Sequence, residues 1–302
     1  MRVVLALGGN ALLRRGEPLE ADIQRRNVSQ AVADAVAPIV RQHEVVVTHG
    51  NGPQIGLLAL QAVAYPAVRP YPLDVLGAES EGMIGYMLEA ALAGALPGRE
   101  IATLLTQVEV EPTDPAFGRP SKPIGPLYDE ADARRLEAER SWMMMQDGAA
   151  WRRAVPSPAP QRIRELQTIR LLLDAGVTVI CAGGGGIPVI VGADGGIQGV
   201  EAVIDKDFAA ALLAQAIGAD ALLLLTDVAG VWTRWPAQDQ QPIGHATPEI
   251  LRRYDFAPGS MAPKVEAACR FVDATRRWAA IGAIADAEAI LAGRAGTIVA
   301  AA

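Results

Sequence analysis

The chain has 302 residues, 51% of them hydrophobic and 20% charged, with a formal net charge of −7. That composition suits a soluble protein with one large core or two lobes, and the acidic balance argues against non-specific nucleic-acid binding. The two cysteines, Cys181 and Cys269, lack the paired spacing of a disulfide scaffold or a zinc cluster and fit a reducing compartment.

Along the chain, RVVLALGGN is apolar but short, is broken by Gly8, Gly9 and Asn10, and has no small-residue cleavage pattern. It predicts a buried first strand and not a signal peptide. No run approaches the roughly 18 apolar residues that span a bilayer, so the cytoplasm is the expected compartment. NVSQAVADAVAPIVRQH predicts a helix, EVVVTHGNG a second buried strand, and IATLLTQVEV another strand. Residues 111–160 break this pattern. EPTDPAFGRPSKPIGPLYDE and RRAVPSPAP are rich in proline and SWMMMQDG is irregular, which predicts an inserted excursion or small subdomain. Insertions of this kind serve as lids or binding loops, or are plain surface additions. RIRELQTIRLLLDAG then predicts a helix, VTVICAGGGG a strand, DFAAALLAQAIGA a helix and ALLLLTDVAG a strand.

Four of these strands are apolar on both faces and end in glycine or a small polar residue. Such runs fit parallel strands buried between helix layers, and their alternation with helices predicts a doubly wound α/β fold. Ligands in such folds collect at the carboxyl ends of the strands, which the glycines mark here.

No stretch matches the Walker pattern or the Rossmann fingerprint. Three glycine crests remain: Gly8-Gly9-Asn10, Gly50-Asn51-Gly52-Pro53 and Gly183–Gly186. One crest alone serves equally well to ease a tight turn. Three, each after a buried strand, point to backbone N–H groups that hold phosphate or another anion, and Pro53 suits the first turn of a helix.

The chain uses 24 arginines but only three lysines, Lys122, Lys206 and Lys264. An ammonium group is a compact point charge that fits where a planar guanidinium clashes, and it can neutralise a transferring phosphoryl group. Surface charge has no such requirement. Lys206 stands between Asp205 and Asp207, and Asp207 serves either to pair with it or to cap the helix that follows. His49 reads as a hydrogen-bonded residue at a strand end, and His43 and His245 as surface residues. No His, Asp and Glu cluster has metal-ligand spacing, so the metal expectation is Mg²⁺ arriving with a nucleotide. Ser80, Ser121 and Ser260 have no evident histidine partner for a hydrolase triad.

Taken in order, LALGGNAL (5–12), VTHGNGPQIG (47–56), GMIGYML (82–88), SKPIG (121–125), RRAVPSPAP (152–160), AGGGGIPV (182–189), VIDKDFAAALLA (203–214), LLLTDVAGV (223–231), HATPEI (245–250), GSMAPKVEAA (259–268) and AGTIV (295–299) resemble the carbamate kinase family of the amino acid kinase superfamily. The resemblance implies a three-layer αβα sandwich around a mainly parallel central sheet, with a small protruding subdomain. It implies one domain over 1–302: an N-terminal carbamate lobe at about 1–190 that includes the subdomain at about 111–160, and a C-terminal nucleotide lobe at about 191–302. It implies reversible phosphoryl transfer between ATP and carbamate, run toward ATP in arginine or related nitrogen catabolism, by a cytoplasmic homodimer using Mg²⁺ with ATP or ADP. No membrane or nucleic-acid partner is implied.

By position, the resemblance places carbamate and the γ-phosphate among Gly8, Gly9, Asn10, Gly50, Asn51 and Gly52. Lys206 would bridge the transferring phosphoryl, Asp207 would organise the lysines, and Lys122 would reach down from the subdomain, with Asn10 also in the catalytic set. Gly183, Gly184, Gly185, Thr226, Asp227, Val228, Met261, Pro263 and Lys264 would meet the nucleotide. Two stretches depart from the family pattern. Glu79 and Glu81 replace an uncharged pair, which bears on dimer packing, and TRWPAQDQQ lacks a glycine on the nucleotide side. Two other readings stay open: a relative acting on an acylated amino acid or a nucleoside monophosphate, and a nucleotide-binding regulator without catalysis. The first strand carries only Arg2 where such relatives carry a lysine, and the intact lysines argue against the regulator.

Overall fold

The computed structural model describes residues 1–302 except 10, 11, 15, 66, 235–238 and 257–260. The centre is β1 (Arg2–Leu7), whose VVLAL run is apolar at every position because both faces are covered. It lies parallel to β2 (Glu44–His49) on one side and β12 (Ala221–Thr226) on the other. Leu7 is level with both His49 and Leu225, so the residues after these three strands share one edge.

Beyond β2 come β9 (Thr178–Ile180) and β3 (Ile101–Thr103), both parallel. Beyond β12 come β16 (Trp278–Ala283), parallel, then β17 (Thr297–Val299), antiparallel to β16, and the short β15 (His245–Ala246). Among the described residues this sheet has eight strands in the order β15-β17-β16-β12-β1-β2-β9-β3.

Alternation along β1 divides the core. Val3, Leu5 and Leu7 face α1 (Ala21–Ala31), a π-helical turn (Val32–Val36), α2 (Ala37–Val40), α4 (Leu73–Ala95) and α10 (Ala287–Leu291). Val4 and Ala6 face α6 (Leu166–Asp174), α7 (Lys206–Ala216) and α9 (Met261–Thr275). Each fully buried Leu, Ile or Val on these faces contributes about 1.5–3 kcal/mol, so the two clusters fix the register. The result is the expected αβα sandwich. Ala209, Ala210 and Ala214 are wholly buried on α7, and their small side chains bring its N-terminus close against the edge where β1 and β2 end.

The stretch 101–110, read as one strand, is two. β3 joins the main sheet, and β4 (Gln107–Val110) leaves it for a second sheet ordered β11 (Ile197–Gly199), β10 (Ile187–Val191), β4, β8 (Pro160–Ile163). The pattern does change here, from the mainly apolar IATLL to the alternating QVEV with Gln107 and Glu109, but no local pattern names the new partner strands. The predicted helix at 162–176 is likewise shorter: residues 160–163 pair with β4, and α6 begins at Leu166. The first helix instead begins earlier than read, at Ala21, and its π turn precedes Pro38, which brings no N–H to the following α2.

Between β4 and β8 the chain builds β5 (Lys122–Tyr128), α5 (Glu130–Arg140), β6 (Met143–Asp147) and β7 (Ala150–Val155), the strands forming an antiparallel sheet ordered β5-β7-β6. Ala133, Leu136 and Met144 form its own small core. Ile124 and Val155 tie it to Ile55, Ala59, Leu73 and Leu76 of the neighbouring helices. There β5 crosses α3 (Gly52–Ala64) glycine on glycine: a Cβ at Gly56 would lie 1.9 Å from the Gly125 Cα, and Gly125 itself has φ +77°. Only two glycines permit that approach.

Candidate active site

A cleft of about 290 Å³ opens at the shared edge of β1 and β2. Gly9, Gly50, Asn51, Gly52, Lys122, Gly184, Lys206, Asp207, Pro263 and Lys264 all line it. Gly50 is there because two groups crowd it: a Cβ would stand 3.2 Å from Gly9 N and 3.5 Å from the Lys206 stem. The Gly50 N–H donates to Leu7 O at 3.0 Å, which holds the first two crests side by side. Asn51 precedes α3 without capping it. Its amide instead donates to Ser80 Oγ at 2.8 Å. The first N–H groups of α3 are therefore not occupied by that side chain, and Pro53 lies in the first turn as predicted.

The three lysines converge on two aspartates. Lys122 pairs with Asp205 Oδ2, Lys206 with Asp207 Oδ1, and Lys264 donates to Asp207 Oδ2 at 3.1 Å. Asp205, not Asp207, caps α7: its Oδ1 accepts the Asp207 N–H at 2.9 Å. Both proposed roles for the DKD triplet exist, divided between its two acids.

Burial alone would raise the Asp207 carboxyl, but the Lys206 and Lys264 ammonium groups overcome it and hold Asp207 well below the usual carboxylate range. Burial lowers the Lys206 pKa despite Asp207 beside it, and Lys264 adds to the lowering. Burial also opposes the Lys264 charge, but there Asp207 wins and the pKa is raised. Three cations against two carboxylates leave an excess positive charge in a narrow cleft. Fixed charges of this kind act strongly on an anion that enters and cost no reorganisation when charge shifts.

The remaining predicted residues lie around this centre. Gly183 and Gly185 do not line the cleft; they face His49 with Glu81 and the Ile204 carbonyl, respectively. Gly8 sits against Leu225 O and Thr226. Thr226 and Asp227 line a separate hollow of about 410 Å³, with Arg14, Gln30 and Asp34. Val228 and Met261 are half-buried and are not part of the cleft wall. Asn10 lies outside the described residues, as does Ser260.

Sequence reading missed Arg152. It lines the cleft from β7 and donates to Gly125 O at 3.0 Å. Among so many arginines it carried no signal, although it stands inside the RRAVPSPAP motif. Glu81, read as a dimer-surface question, is 1% exposed and accepts the Gly183 N–H. Among the described residues, no group of three or more His, Cys, Asp or Glu is placed to hold a metal ion, and no helix is long and apolar enough to cross a membrane.

Lysines held by carboxylates beside glycine crests, at the carboxyl edge of a parallel sheet, are the setting of a phosphotransferase. Residues 1–281 match the amino acid kinase family. The chain is 55% identical over 302 residues to the carbamate kinase of Rhizobium meliloti, covering 99% of this chain and 93% of that one. The carbamate kinase of Giardia lamblia superposes with a TM-score of 0.93 and 38% identity when bound to citric acid, and 0.89 and 39% when bound to AMP-PNP. Both comparisons cover 99% of this chain and 98% of the other. The chain belongs to the amino acid kinase family and, within it, to the carbamate kinases.

Proposed function

We propose that the cleft transfers a phosphoryl group reversibly between ATP and carbamate, with Mg²⁺ entering as part of the nucleotide complex. The observation that carries this reading is the convergence of every lysine in the chain on Asp205 and Asp207. The transition state of this transfer is loose and spreads charge over several oxygens, so positioning and neutralisation are most of catalysis. Carbamate is already an anionic nucleophile and needs no general base.

Lys206 bridges the transferring phosphoryl, Lys264 meets the nucleotide phosphates, and Lys122 closes the cleft from the β5–β7 sheet. Asp207 keeps Lys206 and Lys264 apart and charged until a phosphoryl group replaces it as their partner. Gly9, Asn51 and Gly52 hold carbamate through backbone N–H groups, Gly50 leaves room for Gly9 and the Lys206 stem beside them, and Gly184 and Pro263 border the nucleotide side. The working division is an N-terminal lobe for carbamate, to about residue 190, and a C-terminal lobe for nucleotide. The AMP-PNP complex of the Giardia enzyme supports nucleotide binding in a fold of this kind.

The favoured direction is ATP formation from carbamoyl phosphate in nitrogen catabolism, in the cytoplasm. A homodimer is supported by the exposed Val75 and Tyr86 along α4 and by the exposed Leu105 nearby. The test is a coupled assay for ATP made from ADP, Mg²⁺ and carbamoyl phosphate. Turnover is expected. Nucleotide binding without turnover would instead mark a regulator, and turnover only with another acyl or nucleotide phosphate would mark a different kinase of the superfamily.

A further inference from the structure

The lysine cluster leaves one buried acid and one buried imidazole unused. Glu81 on α4 and His49 at the end of β2 are both shielded from solvent, and neither lines the cleft. Glu81 has no ion-pair partner among the described residues. Its Oε1 accepts the Gly183 N–H at 2.8 Å and its Oε2 the Thr106 N–H at 3.2 Å. Thr106 in turn accepts the Ala182 N–H at 2.9 Å, and Thr48 donates to Ala182 O at 2.8 Å. These bonds restrain a crest that is costly to hold: Ala182, Gly184, Gly185 and Gly186 have φ of 51°, 67°, 102° and 84°. Gly184, one residue beyond the Glu81 anchor, packs on the Asn51 amide and forms the cleft wall.

His49 Nδ1 lies 3.2 Å from Gly50 O, so that nitrogen carries the proton and donates. Nε2 is therefore an acceptor, buried and without a partner. A Cβ on Gly183 would stand 2.3 Å from His49 Nε2 and 3.0 Å from Glu81 Cγ. The Glu81 side chain and the orphaned acceptor thus both lie against the point where Gly183 lacks a Cβ.

We propose that Glu81 is a positioning residue for the phosphoryl-transfer site and that His49 Nε2 is the acceptor for its proton. Protonated, the carboxyl keeps one amide bond to the crest and turns its O–H toward His49, clasping Gly183 from both sides. Ionised, it takes both amides and leaves His49 unpaired beside a negative charge.

The surroundings set where this change falls. Burial pushes Glu81 up to about 8 against the two amide bonds, and Glu165, which precedes α6, adds to the rise. Cys181, at the end of β9, is pushed upward by burial and by Glu81, and stays a neutral thiol. Burial and Lys206, facing it from α7, keep His49 neutral with a pKa of about 4. The transition therefore belongs to Glu81.

As pH rises through about 8, the clasp opens behind Gly184, and the KM for carbamoyl phosphate rises more than kcat changes. That kinetic readout rests on the carbamate kinase reading; the spectroscopic one does not. The experiment follows the nitrogen-15 signals of the three histidines, in the full-length protein and in Glu81→Gln, from about pH 6 to about pH 9.5. The Nε2 signal of the buried histidine should move near pH 8 in the native chain and stay fixed in Glu81→Gln, whose amide donates at every pH. The same variant should keep turnover but lose the KM rise, while Glu81→Met should show a raised KM throughout. A His49 signal that does not move, or native and Glu81→Gln profiles that superimpose, would overturn the proposal. If Glu81→Met fails to fold, the native titration and Glu81→Gln still decide.

Discussion

Lys264 reaches back 57 residues to donate to Asp207 Oδ2 at 3.1 Å, while Lys206, the very next residue to Asp207, takes the other oxygen. One carboxylate therefore holds two cations from different helices at a set spacing. Asp207→Asn keeps the shape and removes the charge. It takes the buried Lys206 ammonium's ion-pair partner away, and breaking a buried pair in this way costs about 3–5 kcal/mol. It also removes the charge that raises the Lys206 pKa, so Lys206 loses its proton at lower pH. The alkaline limb of the turnover profile should move to lower pH, which a kcat series against pH measures.

The same carboxylate makes a signed stability prediction. The folded Asp207 pKa lies well below its ordinary 3.8. Its contribution is then fully present above that ordinary value and is lost as pH falls through the folded one. Acid unfolding of the native chain and of Asp207→Asn should converge at low pH and separate above it.

Asp205 and Asp207 have different jobs, and variants should separate them. Asp205→Ala removes the α7 cap, worth about 1 kcal/mol, and frees Lys122. Its main signature should be a fall in melting temperature together with lost turnover.

Glu81 supplies the opposite sign. Its pKa is raised from 4.5 to about 8, so the stability it allows is full below the lower value and declines as pH rises toward the upper one. Glu81→Gln should melt higher than the native chain near pH 8, with the gap closing toward pH 4.5. Thermal melts at matched pH values read this without any activity assay.

Gly56 and Gly94 make a matched test of the subdomain seat. Gly56→Ala places a methyl 1.9 Å from the Gly125 Cα and must push β5, with Lys122, off α3. Turnover should collapse. Gly94→Ala meets nothing within 4 Å on α4 and should stabilise by about 0.5 kcal/mol, as alanine replaces glycine in a helix. Equal activity in the two variants would contradict the seat.

Much of this was legible in the sequence, for reasons tied to particular residues. Val3–Leu7, Val45–Val47 and Leu222–Leu225 are apolar on both faces, and only a covered parallel strand tolerates that. Scarcity made Lys122, Lys206 and Lys264 visible, and the fold brings all three to one cleft. What stayed hidden depended on long-range partners. Arg152 is one arginine among many until β7 carries it to the cleft. Glu81 looked like a surface residue because no local pattern shows that Gly183 and Thr106 will supply its hydrogen bonds. The split of 101–110 follows from which sheets β9 and β10 join, and the change from IATLL to the alternating QVEV does not say which strands each half will pair with.

The central claim is that Lys206 acts on the transferring phosphoryl and not on resting nucleotide. Lys206→Arg tests it most directly, with kcat and the ADP dissociation constant measured on the same preparation. Lys206 is buried with its stem against Gly50, so a planar guanidinium does not fit where the ammonium sits. In Lys206→Arg, kcat should fall about 100-fold or more, a loss confined to the transition state, with ADP affinity within a few-fold of native. Near-native kcat, or a loss of ADP affinity that accounts for the whole defect, would contradict it.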